Sequence, residues 1–255
     1  MSEPSDPKRG DPKRGDPERG DPERGDPKRG DPKRGDPERG DPERGDPKPW
    51  PQIDASEAGG VEGDSGLLLS GAPERILELS LAAARFVQGA VGVEPDFSSE
   101  TLPLVDHYLI GARQGLEARP ELEALITRSV GAYFGEVVRA SMDGFWIAPS
   151  DDVHEWLVCS SVVFLAINPV GAVYDALFGG VEHSGPSSNL RLDRADTILV
   201  EQRLAALPEV RDEDFYLLST RFDAVEIAMA VLRDAAARDG QADAVFEPED
   251  YLPGR

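Results

Sequence analysis

The sequence predicts an α+β fold, in which one domain of about five or six helices packs on a small antiparallel sheet and is preceded by a disordered repeat tract. Three observations lead to this prediction: several stretches with apolar residues at helical spacing, a short β-rich stretch between them, and a tandem repeat in the first fifth of the chain. The predicted boundaries are 1–50 for the repeat tract, 51–71 for a linker, 72–240 for the domain and 241–255 for a C-terminal tail.

The repeat tract consists of eight complete copies of Asp-Pro-(Lys/Glu)-Arg-Gly from Asp6 to Gly45, followed by a truncated ninth copy that ends at Trp50. It offers no apolar side chain before Trp50 to offset the backbone entropy that folding costs, ~1–2 kcal/mol per residue. Proline in every copy also interrupts any helix. We therefore expect a disordered spacer.

Three helices are predicted in the first half of the domain. The first begins near Pro73 and runs to about Ala90. The second begins after Ser98 or Ser99, which are N-cap candidates, and buries Leu102, Val105, Leu109 and Ala112. The third begins near Pro120, and its apolar residues from Leu122 to Val138 follow the i, i+3, i+4, i+7 pattern of an amphipathic helix.

The helical spacing of apolar residues stops where the sheet is predicted. The stretches 144–149, 155–159 and 162–167 are rich in aromatic and β-branched residues, which favours two or three antiparallel strands. Ser160-Ser161 is a poor two-residue hairpin turn, so the last two stretches are also compatible with one bent strand.

The second half of the domain returns to helical patterns. A short helix is predicted over Val170–Phe178, where Gly179-Gly180 ends it, and another over Leu192–Leu207. The last helix is predicted over Asp212–Arg238, and its core face is expected to contain Phe215, Leu218, Phe222, Val225, Met229 and Leu232. The tail is expected to be loose, with two candidate anchors, Phe246 and Tyr251.

Charge separates the domain from the repeat tract. The chain holds 27 basic and 49 acidic residues, of which 13 and 14 lie in residues 1–50, so 14 basic and 35 acidic residues remain, a net charge of −21. Such a charge repels phosphate backbones and anionic membranes, so we expect neither nucleic acid nor membrane as a partner. It favours a basic or neutral protein partner. The N-terminus lacks the features of a signal peptide, and the expected location is cytoplasmic.

Several stretches match a pattern of bacterial proteins. Asp96-Phe97-Ser98 precedes the second helix, which carries Leu104-Val105-Asp106-His107-Tyr108-Leu109, and the third helix carries Gly131-Ala132-Tyr133-Phe134-Gly135-Glu136-Val137-Val138-Arg139, before Trp146. The pattern resembles a bacterial domain family of myxobacterial type, of unknown function, and covers roughly residues 95–147. The resemblance implies the fold class and a bacterial origin, and it transfers no catalytic residue.

The candidate functional site is a pocket formed by Tyr133, Glu136, Trp146 and Asn168. A carboxylate in such surroundings would be partly buried, and burial favours the neutral form, which would suit a general acid or base. The structural alternative is an ion pair with Arg139 or Arg128. Gly131 and Gly135 indicate that a neighbour approaches the third helix closely, either a packed element or a ligand.

Other reactive residues lack the partners that chemistry requires. Cys159 is the single cysteine, which excludes an intrachain disulfide and a multi-cysteine metal site, and no base is evident beside it. His154 and His183, each next to a glutamate, are the metal ligands that the sequence offers, but they lack the usual spacing. No lysine follows Lys48, so a P-loop lysine or a Schiff-base lysine is excluded from the domain. We expect no metal and no cofactor.

These observations leave several functions open. The leading hypothesis is a non-catalytic, acidic interaction module that binds another bacterial protein. The alternative is a small hydrolase-like or ligand-binding domain that uses the pocket around Glu136 and Trp146. A third hypothesis is an antitoxin-like inhibitor of a basic protein. The acidic surface is also compatible with adaptation to salt alone, in which case it would have no partner.

Overall fold

The structure, a computed structural model, describes residues 72–252 of the chain. This part of the chain contains seven α-helices and one small sheet. The helices are α1 (Glu74–Val91), α2 (Leu102–Leu116), α3 (Glu123–Ser141), α4 (Pro169–Phe178), α5 (Arg194–Ala205), α6 (Leu218–Arg238) and α7 (Pro248–Tyr251). The strands β1 (Gly144–Ile147), β2 (Leu157–Ser160) and β3 (Ala166–Ile167) pair antiparallel in the order β1-β2-β3. The α+β prediction is confirmed, whereas the predictions for 1–50 and 51–71 lie outside the described residues.

Helix α3 is the centre of the core, because α1, α4 and the sheet all pack against it. Every residue from Gly131 to Val138 is buried, as expected for a helix that is covered on all sides. A Cβ atom on Gly131 would lie 2.6 Å from Cγ2 of Val170, and one on Gly135 would overlap the ring of Trp146. The close approach predicted from the two glycines is therefore made by α4 and by Trp146.

Asp106 joins α2 to the start of α6. Its Oδ1 accepts a hydrogen bond from the backbone N–H of Leu218 at 2.6 Å, and its Oδ2 accepts from the Oγ hydroxyl of Ser219 at 2.7 Å. The residue is 4 % exposed, and burial raises the pKa of its carboxyl group although these hydrogen bonds lower it. The side chain thus satisfies free N–H groups at the first turn of α6, as an N-cap residue does.

The sheet separates two apolar clusters. Val158 of β2, Trp146 of β1 and Ile167 of β3 face the main core, whereas Leu157 and Cys159 face a smaller cluster on the outer side. Residues 161–165 form the turn between β2 and β3, so the predicted stretches 155–159 and 162–167 give two strands and not one bent strand. The pairing continues at one bridge, between Ala166 and Arg191.

The predicted start of α6 is wrong by six residues. Residues 212–216 form turns, and the helix begins at Leu218. Phe215, which was expected in the core, is 46 % exposed, because its ring and that of Tyr216 lie against the guanidinium of Arg221, 5.0 and 5.3 Å away. Leu125 of α3 is also outside the core, with 38 % of its surface exposed.

The C-terminal segment covers the outer face of the sheet and is held more firmly than predicted. Tyr251 is 3 % exposed, and its ring stacks on Phe164 at 4.7 Å. Its hydroxyl lies 2.7 Å from the carbonyl oxygen of Ser160 and 3.0 Å from that of Val163, and it accepts a bond from the N–H of Leu165. Both predicted anchors belong to this outer cluster, since Phe246 packs against it as well.

Candidate functional site

Glu136, the centre of the predicted site, is enclosed in the core. It is 2 % exposed, and its Oε1 accepts hydrogen bonds from Nε1 of Trp146 at 2.6 Å and from Nε of Arg139 at 3.0 Å. Its Oε2 accepts from Nη2 of Arg139, also at 3.0 Å. Trp146 in turn meets Trp156 edge to face at 6.4 Å. A general acid or base must come within hydrogen-bond reach of a substrate, and this carboxylate offers no free side to one.

Tyr133 fixes the loop that precedes α2. Its hydroxyl accepts a hydrogen bond from the N–H of Phe97 at 2.9 Å, and the two rings stack at 4.5 Å. Phe97 has a φ of 65°, a left-handed conformation that few residues other than glycine adopt, and the contact with Tyr133 holds it there. Burial raises the pKa of the Tyr133 hydroxyl. Ser98 and Thr101 stabilise the same loop, because both donate hydrogen bonds to the Asp96 carboxylate.

Asn168 caps α4. Its Oδ1 accepts from the N–H groups of Val170 and Gly171 at 3.0 and 3.1 Å, and its Nδ2 donates to the carbonyl of Val153 at 2.7 Å. Of the four residues predicted for the site, only Asn168 lines either of the two clefts described below. The structure therefore brings Glu136 and Trp146 together, and it places Tyr133 and Asn168 at separate structural contacts.

The other candidate residues are also accounted for by local contacts. Cys159 is fully buried, and burial raises the pKa of its thiol to about 12, which keeps it protonated at neutral pH. His183 does not lie in an open loop: its Nε2 is 3.0 Å from Oδ1 of Asp175, and its Nδ1 accepts from the N–H of Gly185. His154 is exposed. Within residues 72–252 no group of three or more His, Cys, Asp and Glu side chains is placed to hold a metal ion.

An acidic cleft, which the sequence did not reveal, lies between the start of α5 and the end of α6. Its volume is about 130 Å³. Three carboxylates line it, those of Asp193, Asp196 and Asp239. The remaining lining comes mainly from apolar side chains of α6, of the 161–165 turn and of the C-terminal segment, among them Leu232, Ala235, Phe164 and Phe246.

The three carboxylates of the acidic cleft repel one another. Burial raises the pKa of Asp196, and the charges of Asp193 and Asp239 raise it further. Asp239 caps the C-terminus of α6, the negative end of that helix, where an acidic side chain is unfavourable. Asp193 and Asp196 lie at the N-terminal, positive end of α5, which offsets part of this repulsion, but no cation of the described residues forms an ion pair with the three carboxylates.

A second cleft, of about 310 Å³, lies beside the capped end of α4. We call it the arginine cleft, after Arg191. Its lining is His154, Leu157, Asn168, Pro186, Ser187, Asn189, Leu190 and Arg191. It contains no acidic residue, although the chain as a whole carries a net charge of −22.

Comparisons of the chain with protein-family models, with curated proteins and with solved structures gave no match. Among residues 72–252, no helix combines the length and the apolar character that a membrane crossing requires. The function is therefore inferred from the residues that line the two clefts.

Proposed function

We propose that this domain is a non-catalytic interaction module of the bacterial cytoplasm, which binds a basic protein by receiving a lysine or arginine side chain in the acidic cleft. The observation that carries the proposal is the set of three carboxylates, Asp193, Asp196 and Asp239, around an apolar floor with no cation paired to them among the described residues. The net charge of −21 downstream of residue 50 supports it, because such a field attracts basic partners and accelerates their association.

The size and lining of the acidic cleft match one long basic side chain. Small-molecule sites usually occupy ≈ 300–1,000 Å³, whereas this cleft has about 130 Å³. Lysine and arginine bury an apolar stem and keep a charged end group at a polar rim. Leu232 and Ala235 would contact the stem, and the three carboxylates would accept charge-assisted hydrogen bonds from the end group.

Binding of a labelled arginine-rich peptide tests the proposal. The probe is a fluorescein-labelled decapeptide of alternating arginine and serine, and its matched control has citrulline, which keeps the shape without the charge, at each arginine. We expect the arginine peptide to bind and the citrulline peptide not to bind. The affinity should fall as the salt concentration rises, since salt screens exposed charges.

Three substitutions that remove the same charge locate the binding site. Asp196→Asn and Asp239→Asn lie in the acidic cleft, whereas Asp223→Asn changes an exposed position of α6 that does not line it. Each cleft variant should bind about tenfold more weakly, because asparagine still accepts a hydrogen bond but loses the attraction of the negative charge, about 1.5 kcal/mol. The control should change less than about twofold. Equal losses for all three variants would mean that diffuse charge, and not the cleft, attracts the peptide.

An inhibitor of a basic protein would use the same cleft, so the antitoxin-like hypothesis is a special case of this proposal. The hydrolase-like alternative depended on access to Glu136. Its carboxylate is 2 % exposed and bonded to Arg139 and Trp146, so the geometry favours the interaction module.

A further inference from the structure

We propose that the arginine cleft binds a small organic anion, a molecule with a carboxylate or phosphate group attached to a short apolar body. This inference is independent of the interaction proposed for the acidic cleft, because the two clefts share no lining residue.

The charge of the lining is the first reason. Among residues 72–252, acidic residues outnumber basic ones, yet the polar and charged residues that line this cleft are Arg191, His154, Asn168, Ser187 and Asn189. Arg191 takes part in none of the ion pairs between described residues. An arginine without a carboxylate partner, in a protein so rich in carboxylates, leaves its guanidinium available for an added anion.

The position of Arg191 is the second reason. Its backbone pairs with Ala166 of β3, with N–O distances of 2.7 and 3.1 Å, so the sheet fixes where the side chain begins. Its charge lies near enough to the Cys159 thiol to lower the pKa of that group, against the larger effect of burial. The sheet edge thus fixes the backbone of an exposed arginine beside the cleft, and the fork of N–H groups on its guanidinium fits carboxylate and phosphate oxygens.

The neighbouring groups complete the environment. The cleft lies at the N-terminal, positive end of the ten-residue helix α4, where Asn168 already occupies the N–H groups of Val170 and Gly171. The positive end of α4 therefore attracts an anion electrostatically, although these two N–H groups are not free to bond to it. The acidic neighbours of His154 in sequence do not line the cleft: Asp152 accepts from the backbone N–H of His154, and Glu155 accepts from the hydroxyl of Ser150.

The volume of the arginine cleft favours an organic anion over an inorganic ion. At about 310 Å³ the cleft reaches the lower limit of small-molecule sites and exceeds what one phosphate ion fills. Leu157, Pro186 and Leu190 supply apolar contacts for the remainder of the ligand. We therefore assign the anionic group to Arg191 and His154 and the body of the ligand to these three side chains.

Calorimetric titration of the full chain with four probes tests the assignment: benzoate, phenyl phosphate, inorganic phosphate and the neutral amide benzamide. At least one of the two aromatic anions should bind at least tenfold more tightly than both benzamide and inorganic phosphate. The order of benzoate and phenyl phosphate then identifies the anionic group. Failure of both aromatic anions to bind, or binding of benzamide at equal affinity, would overturn the proposal.

Three variants place the bound anion. Arg191→Gln keeps the backbone pairing with Ala166 and should weaken binding at least tenfold, and His154→Gln, at an exposed position, should weaken it severalfold. Arg203→Gln is the matched control, since it removes the same charge from an exposed position of α5 outside the cleft. Thermal melts confirm that each variant is folded. If Arg203→Gln weakened binding as much as Arg191→Gln, long-range charge would explain the effect and the assignment would be wrong.

Discussion

Two acidic regions of this molecule, Glu136 on α3 and the acidic cleft, differ in how their negative charge is balanced. On α3, Glu136 is buried and accepts three hydrogen bonds, from Arg139 and from Trp146. In the acidic cleft, Asp193, Asp196 and Asp239 lie at a surface, and no cation of the described residues pairs with them.

The difference separates a structural role from a binding role. A buried charge persists only where its hydrogen bonds are made within the protein, so a fully bonded carboxylate such as Glu136 contributes to the fold. Carboxylates that repel one another at a surface cost stability, and a cationic partner would remove that cost. A carboxylate thus has opposite expected effects on stability at the two places.

Glu136→Ala should have the largest effect. Arg139 and Trp146 would lose the carboxylate that now bonds to both. Removal of one partner of a buried ion pair lowers the free energy of unfolding by about 3–5 kcal/mol. Urea unfolding followed by tryptophan fluorescence measures the loss. Glu226→Ala, at an exposed position of α6, is the control and should stay within about 0.5 kcal/mol of the parent protein. A loss below about 1 kcal/mol for Glu136→Ala would show that this pair is not a structural element.

Tyr251→Phe should have the next largest effect, because it removes a buried hydroxyl that contacts three backbone groups of residues 160–165. Loss of such hydrogen bonds, with the carbonyls and N–H left buried, should lower the free energy of unfolding by about 1–2 kcal/mol. Hydrogen exchange of the Leu165 amide should also accelerate more than that of amides in α3. Unchanged exchange at Leu165 would mean that the C-terminal segment does not hold this turn.

Asp196→Asn should change stability in the opposite direction. The pKa of Asp196 is raised in the folded protein, so its contribution to stability is complete below the unfolded-state pKa and is lost as the pH rises through the folded-state pKa. Asparagine remains neutral, and the variant should therefore be more stable at pH 7, by less than about 1 kcal/mol because the site is partly open to solvent. The gain should disappear below about pH 4. A variant less stable than the parent at pH 7 would contradict the interpretation that the carboxylates of the acidic cleft destabilise the protein by repelling one another.

Deletion of residues 1–50 should have the smallest effect. Residues 1–50 carry a net charge of −1 and have no apolar side chain before Trp50 apart from Met1 and the prolines, so we expect their removal to change neither the electrostatic field nor the core of the remaining chain. The melting temperature and the affinity for the arginine peptide should both stay the same. A melting temperature lower by several degrees would show that the tract contributes to the folded domain.

The sequence predicted the elements that local patterns determine. Apolar spacing was sufficient for α1 and α3, and Gly179-Gly180 marked the end of α4 correctly, whereas the helix begins at Pro169, one residue before the predicted Val170. It failed at Phe215, whose spacing fits α6 but whose ring contacts Arg221 at the surface, and at residues 162–165, which are β-rich yet form a tight turn. In both places a tertiary contact overrides the local preference.

The candidate site was less predictable than the fold. The contact between Glu136 and Trp146 was foreseen, but sequence could not tell a bonded, enclosed carboxylate from an accessible one. The acidic cleft combines Asp193 and Asp196 with Asp239, which lies more than forty positions further along the chain, and nothing distinguishes these three among 49 acidic residues. Only the packing of α5 on α6, which places the start of α5 beside the end of α6, brings them together.

The most direct test of the central claim is an NMR titration of the labelled domain with the arginine–serine decapeptide. If the acidic cleft receives the peptide, the amides of Asp193, Asp196 and Asp239 should shift together, with one common dissociation constant, while exposed acidic positions such as Asp223 and Glu226 remain unchanged. Small shifts spread over all acidic surfaces, without saturation, would contradict the account.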